Sequence, residues 1–450
     1  MPVSINRVAA MLLIAFLLLA GMLGYWVAGG AALAARQDNP RRILAEQRIL
    51  RGRILDRRGT TIVETVGEPG AYERAALYRY AAPFTGYYSI NYGTSEVERS
   101  FDSTLRGRLG LDAAQVYMND LLHISPAGRA VQLTIDLGIQ RAADTLLDGH
   151  TGAIVVTSVP DADILALASR PTFDPNGLDE NWDTLRDDSA APLLNRATLG
   201  QYQPGTALQP ILMVEALRRG IASLEDTPET PARPFPVDSR ALTCRSPNGV
   251  ITLADAFAQA CPAPAADLGV MLGGDALSDI VATWRLTDTT VVGLQSRPVV
   301  TTSIVLTGTR ALQEFAVGQG QLTFAPLHMA GAATTLAARG LMTPARIVSA
   351  TETIDGGWRP IERPLATRIA PREVVERVVA AMPHTGDIAW YGGIGLSGAK
   401  RLMWFVGFAP IENTRYATVV LIESDADVEA VRSAIEIGQQ LLRVLLSIAI

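Results

Sequence analysis

An α+β fold with an anchored, strand-rich front end follows from three observations. The chain opens on an uncharged apolar run. Two β-hairpin patterns lie far apart in its second two-thirds. An amphipathic helical pattern closes it.

No charged residue occurs from Val8 to Ala35, and the core of this run is Met11 to Val27. That meets the roughly 18–20 residues one membrane helix needs. Tyr25 and Trp26 suit a membrane interface. A cleaved signal peptide is the alternative, with Ala32-Leu33-Ala34 as its cleavage site, but the apolar core is long for that role. Arg7 on one side and Arg36, Arg41 and Arg42 on the other leave the orientation undecided by charge alone.

Residues 36–130 read as irregular and strand-leaning. They carry two arginine-rich turns, Arg51-Gly52-Arg53 and Asp56-Arg57-Arg58-Gly59, and a tyrosine-rich stretch from Phe84 to Tyr92. From Val131 strands and helices alternate. Gly152–Ser158 and Ile164–Ala168 are β-rich and joined by Pro160-Asp161-Ala162-Asp163, which reads as a hairpin. Leu402–Ala409 and Ala417–Glu423 make a second hairpin around Glu412-Asn413-Thr414. Leu441–Ile450 is too short to span a membrane and contains Arg443, so it ends an amphipathic helix beginning near Val428. Hairpins plus helix predict an antiparallel sheet with helices on its faces. The expected domains are an anchor (1–35), a pedestal (36–130) and a C-terminal body (131–450).

Composition narrows the function classes. Apolar residues make up 48% of 450, enough for a large core, and the net charge is −6 with both signs interspersed. No basic patch stands out, so nucleic acid is not an expected partner. The four histidines, His123, His150, His328 and His384, are widely spaced, and neither a metal site nor a cofactor is expected. Cys244 and Cys261 are either a disulfide, if the domain is exported, or two buried thiols. Of 39 basic residues, 38 are Arg and one, Lys400, is Lys, a skew that a genome-wide compositional bias explains.

Seven stretches in order resemble the class B penicillin-binding proteins, the membrane-anchored DD-transpeptidases of bacterial cell-wall synthesis. They are Arg51–Gly59; Pro83–Gly93 with Glu98; Leu133–Asp136 with Gln140; Gly152–Asn176; Leu194–Ala197 leading to Tyr202–Gly205; Gly318–Gly320 with Thr323–Met329; and Trp404–Pro410. The second is similar to a short-pedestal subgroup of actinobacteria and relatives. The resemblance implies a penicillin-binding-protein transpeptidase fold, like that of serine β-lactamases, in residues 131–450.

The resemblance also implies a chemistry, acyl transfer from a D-Ala-D-Ala peptide. The family's S-x-x-K places a serine and its proton-accepting lysine on one helix face, S-x-N relays protons, and K-T-G holds the substrate carboxylate. At the first motif this chain has Thr206 for the serine and Gln209 for the lysine, with Pro210 disturbing the helix start. At the second it has Ala260-Cys261-Pro262, so both polar positions are gone, and a catalytic Cys261 lacks a nearby base. The third motif is expected at Leu396-Ser397-Gly398, with Lys400 about 13 Å beyond Leu396 along a strand. Glutamine cannot accept a proton near neutral pH, and arginine cannot replace lysine as a base. Asp174, Asp255 and Glu314 are the acids considered as substitute bases. Thr206, Ser397, Gly398 and Ala399 remain as a candidate substrate-binding set, through backbone N–H groups and one hydroxyl.

The expected function is therefore a catalytically impaired homologue in peptidoglycan synthesis. Its expected partners are the membrane, a SEDS-type glycan polymerase or another cell-wall synthesis protein, and the peptidoglycan stem peptide. Its large domain is expected outside the cytoplasm. Two alternatives stand beside it: a divergent transpeptidase acylated at Thr206, and a noncovalent sensor of muropeptide or β-lactam.

Overall fold

The computed structural model describes residues 2–34, 40–122, 124, 127–286, 294, 306–425 and 429–448. The apolar run forms helix α1 (Pro2–Ala34). Within it Asn6–Trp26 has a mean hydropathy of 2.4 and packs on nothing else in the chain, so by length and composition it can cross a membrane.

The front end contributes three strands to the smaller of two six-stranded sheets, β1 (Ile54–Leu55), β2 (Thr61–Val66) and β3 (Glu73–Ala76). They do not form a separate sheet. β4 (Val131–Leu133) pairs parallel with β1, and β9 (Val348–Glu352) and β10 (Trp358–Pro360) continue beyond β4, giving the order β10-β9-β4-β1-β2-β3. Segments on both sides of residue 130 therefore share one sheet.

The larger sheet is antiparallel throughout. β5 (Thr151–Ser158) and β6 (Ile164–Arg170) form the first expected hairpin; β13 (Lys400–Ala409) and β14 (Tyr416–Ser424) form the second. With β11 (His384–Thr385) and β12 (Ile388–Ser397) the order is β11-β12-β13-β14-β5-β6. Both faces are covered, which is why the strands read as unbroken apolar runs. Val155, Val406 and Val419 enter one core with helix α6 (Pro326–Ala337), whereas Val156, Phe405 and Val420 enter a second with helix α8 (Glu429–Ile448). The alternation is the two-residue period of a strand. Gly438 lets α8 approach the Phe405 ring, which a methyl group there would strike.

The arginine-rich first turn has a structural use. Arg51 is buried and bonds Glu98 (Nη2–Oε2 2.7 Å) and Asp102 (Nη1–Oδ1 2.7 Å), while Arg74 holds the other Glu98 oxygen (Nε–Oε1 2.6 Å). The Arg51 guanidinium also lies 4.4 Å over the Tyr88 ring. Burial alone would raise the Glu98 carboxyl, but Arg74 and Arg51 outweigh it and hold it below the ordinary carboxylate range. Two residues earlier the balance reverses. Glu96 has φ +46°, its Oε2 is buried without a hydrogen-bond partner, and its Oε1 accepts only from Asn195 Nδ2 at 3.0 Å. Burial pushes its pKa from 4.5 up to about 7.

Glu98→Gln should cost about 3–5 kcal/mol in denaturant unfolding, because two buried guanidinium groups lose their shared counter-ion. Glu96 gives a pH prediction of opposite sense to an ordinary carboxylate. Its folded pKa exceeds the unfolded one, so the folded state holds the extra proton between 4.5 and about 7. Stability should therefore fall as pH rises through that window, and Glu96→Gln should remove that part of the slope in thermal melts.

Candidate active site

The first motif sits where a tight turn becomes a helix. Gly205–Leu208 is a 3₁₀ turn, and helix α3 (Gln209–Arg218) starts only at Gln209. Pro210 falls in the first turn of α3, where its missing N–H breaks no helical bond. Thr206 and Gln209 are three apart across the 3₁₀ turn and so lie on one side of it. Each is only 3% exposed.

Their hydrogen bonds are structural. Thr206 Oγ1 accepts from the Ile394 N–H at 3.1 Å. Gln209 Nε2 donates to the Cys261 carbonyl at 2.9 Å, and its Oε1 accepts from the Tyr391 hydroxyl at 2.5 Å. The same hydroxyl lies 2.8 Å from the Phe257 carbonyl, and its single proton serves one acceptor at a time. Burial drives the Tyr391 pKa far up, so this hydroxyl stays neutral. The result is a knot of amide, phenol and carbonyl groups linking α3, β12 and the turn between α4 (Leu253–Ala258) and α5 (Pro262–Thr283).

Glycines hold β12 against the 3₁₀ turn. A methyl group at Gly205 (φ +56°) would strike the Ile394 carbonyl, and one at Gly393 would strike the backbone of Ala207. Gly205 N–H also donates to the Gly318 carbonyl at 2.8 Å, which brings the Gly318-Gln319-Gly320 segment into the same contact.

The expected third-motif set needs correction. The strand segment facing Gln209 and Thr206 is Tyr391-Gly392-Gly393 with Ile394, not Leu396-Ser397-Gly398. Leu396 is buried on β12 opposite Arg401. Ser397 pairs with Lys400, and Gly398 (φ +54°) and Ala399 are the exposed two-residue turn between β12 and β13. Ser397 lies three residues past Ile394, roughly 10 Å along the strand. Thr206 is thus not assembled with Ser397, Gly398 and Ala399. Arg240, on β8 (Arg240–Leu242), which pairs with β7 (Phe235–Val237), donates to the carbonyls of Gly398, Ala399 (3.1 Å) and Lys400 (3.1 Å).

The second motif does join the site through its backbone. Cys261 supplies the carbonyl for Gln209, Ala260 takes φ +53°, and Pro262 opens α5. Cys261 is bonded to Cys244 in a disulfide with Cα atoms 4.1 Å apart, so it has no thiol to react. The candidate bases are engaged elsewhere. Asp255 caps α4 through Thr252 and Ile251, Glu314 pairs with Arg310 at 2.6 Å, and Asp174 caps a short 3₁₀ turn through Asn176. Lys400 Nζ is paired with Glu423 at 2.8 Å. Tyr391 and Gly393 escaped the sequence reading. The pair Gly392-Gly393 inside a strand was their signal, since glycine there marks close backbone approach.

The sheet-and-helix architecture, with its helix-start turn lying against a neighbouring strand, is that of a penicillin-binding transpeptidase domain. The chain belongs to that family: residues 152–383, more than half of its 450, match the penicillin binding protein transpeptidase domain, and residues 51–131 match the penicillin binding protein A dimerisation domain. It is 27% identical to the peptidoglycan D,D-transpeptidase PbpA of Mycolicibacterium smegmatis and 28% identical to PbpA of Mycobacterium tuberculosis, covering 95% of each chain in both comparisons. A solved structure of penicillin-binding protein A from M. tuberculosis, an imipenem acyl-enzyme complex, matches with a TM-score of 0.77 at 25% identity, covering 90% of this chain and 100% of that one.

Gln209→Met should lower stability by about 1–3 kcal/mol, since it strands the buried Cys261 carbonyl. Tyr391→Phe should also cost about 1–3 kcal/mol and leave the fold intact, because it strands Gln209 Oε1 or the Phe257 carbonyl while Gln209 keeps its bond to Cys261. Urea unfolding of the two variants checks both losses.

Proposed function

We propose that this chain is a catalytically impaired penicillin-binding-protein homologue that serves peptidoglycan synthesis as a binding or scaffold partner at the membrane. The observation that carries this reading is the Gln209–Tyr391–Cys261 knot. In the chemistry that the family resemblance implies, the side chain at Gln209 takes the proton of the attacking hydroxyl. Here it is an amide with both ends bound, and it cannot ionise. Thr206 keeps a hydroxyl, but its described hydrogen bond is one it accepts from Ile394 N–H. Loss of a nucleophile or its base in such a unit costs on the order of 10⁴–10⁶ in rate.

The proposed working parts are an anchor (1–35), a pedestal (36–130) and a transpeptidase-like body (131–450), with the body outside the cytoplasm. The proposed partner is a SEDS-type glycan polymerase or another cell-wall synthesis protein, met through the anchor and pedestal. Thr206 with the surrounding backbone is at most a weak noncovalent site for a stem peptide.

One observation favours a rival reading, an active transpeptidase acylated at Thr206: the chain spans 95% of relatives named as D,D-transpeptidases. Fluorescent penicillin labelling of the full-length protein in detergent, read by intact mass, separates the two. The proposed reading expects no adduct on folded protein. An adduct that disappears in Thr206→Ala would overturn it.

A further inference from the structure

A cavity of about 750 Å³ lies at one end of the larger sheet, away from the residues of the candidate active site. Its walls include the turns after β5 and β13, through Pro160 and Asn413, and its polar lining includes Arg339, Arg368 and Arg372. Arg339 sets it apart. It follows the C-cap of α6 at φ +54°, a left-handed position that favours glycine. A long side chain there carries backbone strain. Its guanidinium is half-buried, 6.0 Å over the Phe408 ring, and donates to the carbonyls of Ile411 (2.8 Å) and Ala337 (3.4 Å). Among the described ion pairs none neutralises it, and burial lowers its pKa.

The charges around it converge. Arg368 donates to the Arg339 carbonyl at 2.8 Å, which brings the two chain segments together. Arg372 opens helix α7 (Arg372–Ala381), whose N-cap Pro371 provides no capping side chain. The first-turn N–H groups of α7 therefore have no intrahelical acceptor, and the helix dipole adds positive potential. Two acids line the cavity. Glu376 is paired with Arg372 at 2.7 Å, and Glu412 is exposed on the turn after β13. Three arginines against two glutamates leave one net positive charge, and Glu376, bonded to Arg372, offsets Arg339 only through the longer-range attraction that burial outweighs.

We propose that this cavity binds the anionic end of a larger molecule, a phosphate ester or a carboxylate, between Arg339, Arg368 and the start of α7. The planar guanidinium fork matches both oxyanions, and the volume exceeds what a lone phosphate needs. The site is independent of whether Thr206 reacts.

The test is calorimetric titration of the full-length protein in an uncharged detergent at low salt. Pyrophosphate stands for the phosphate source and citrate for the carboxylate source. Saturable binding of at least one is expected, weakening as salt rises. The tighter of the two names the source. Arg339→Met and Arg368→Gln should each weaken it at least about tenfold, with Arg368→Gln folded and its melting temperature lowered by no more than about 4 °C for the one exposed bond it loses. Arg368 is exposed, so that variant keeps the test decisive if Arg339→Met fails to fold. No saturable binding of either probe, or binding undiminished in Arg368→Gln, would overturn the proposal.

Discussion

The close contact between β12 and the 205–208 turn organises the centre of this molecule. Two backbones can touch there only because Gly205 and Gly393 lack side chains. Once they touch, Ile394 N–H reaches Thr206, and Tyr391, two residues from Gly393, arrives beside Gln209. The Gly318 segment then packs on the turn from the other side. β12 in turn pairs with β13 along nearly its whole length, which joins the turn to the larger sheet.

Much of the fold was legible because it is written in local periodicity. Both hairpins, the closing helix and the apolar helix at the start follow from β-rich apolar runs, turn chemistry, amphipathic spacing and run length. The family was legible from motif order. The site was legible only in part. Thr206 and Gln209 stand out in the sequence because they sit at fixed spacing from Pro204 and Gly205, and the structure places them side by side. The third motif was misread by several residues because Gly395-Leu396-Ser397-Gly398 looks as much like it as Tyr391-Gly392-Gly393 does. Only the contact with Gln209 distinguishes them, and Gln209 is more than 180 residues away in sequence. Arg240, which holds the β12–β13 turn from about 160 residues off, gave no local signal either.

Electrostatics divide the front end from the candidate site. The front end buries full charges and balances them, as at Arg51, Arg74 and Glu98. The candidate site is built from neutral groups with buried amide, phenol and carbonyl partners. Neutral pairs avoid the desolvation cost of a buried cation, which the front end meets at Arg51 and Arg74 by supplying carboxylate counter-ions. The site therefore contributes to holding α3, β12 and the α4–α5 turn together, a role that its side chains fill without any titration.

The disulfide extends this into a brace. Cys261 receives Gln209 through its carbonyl and is bonded to Cys244, which follows closely on the β7–β8 hairpin carrying Arg240. Arg240 in turn grips the β12–β13 turn. On the proposed reading, regaining proton transfer is then a multi-step journey rather than a single reversal. A lysine restored at 209 would face Tyr391 and the carbonyls of a covalently fixed loop, with nothing polar at 260 or 262 to pass a proton onward. On that same reading, a lysine placed at 209 before any other change would bury a charge among amide, phenol and carbonyl groups, so the surrounding brace would have to change along with it.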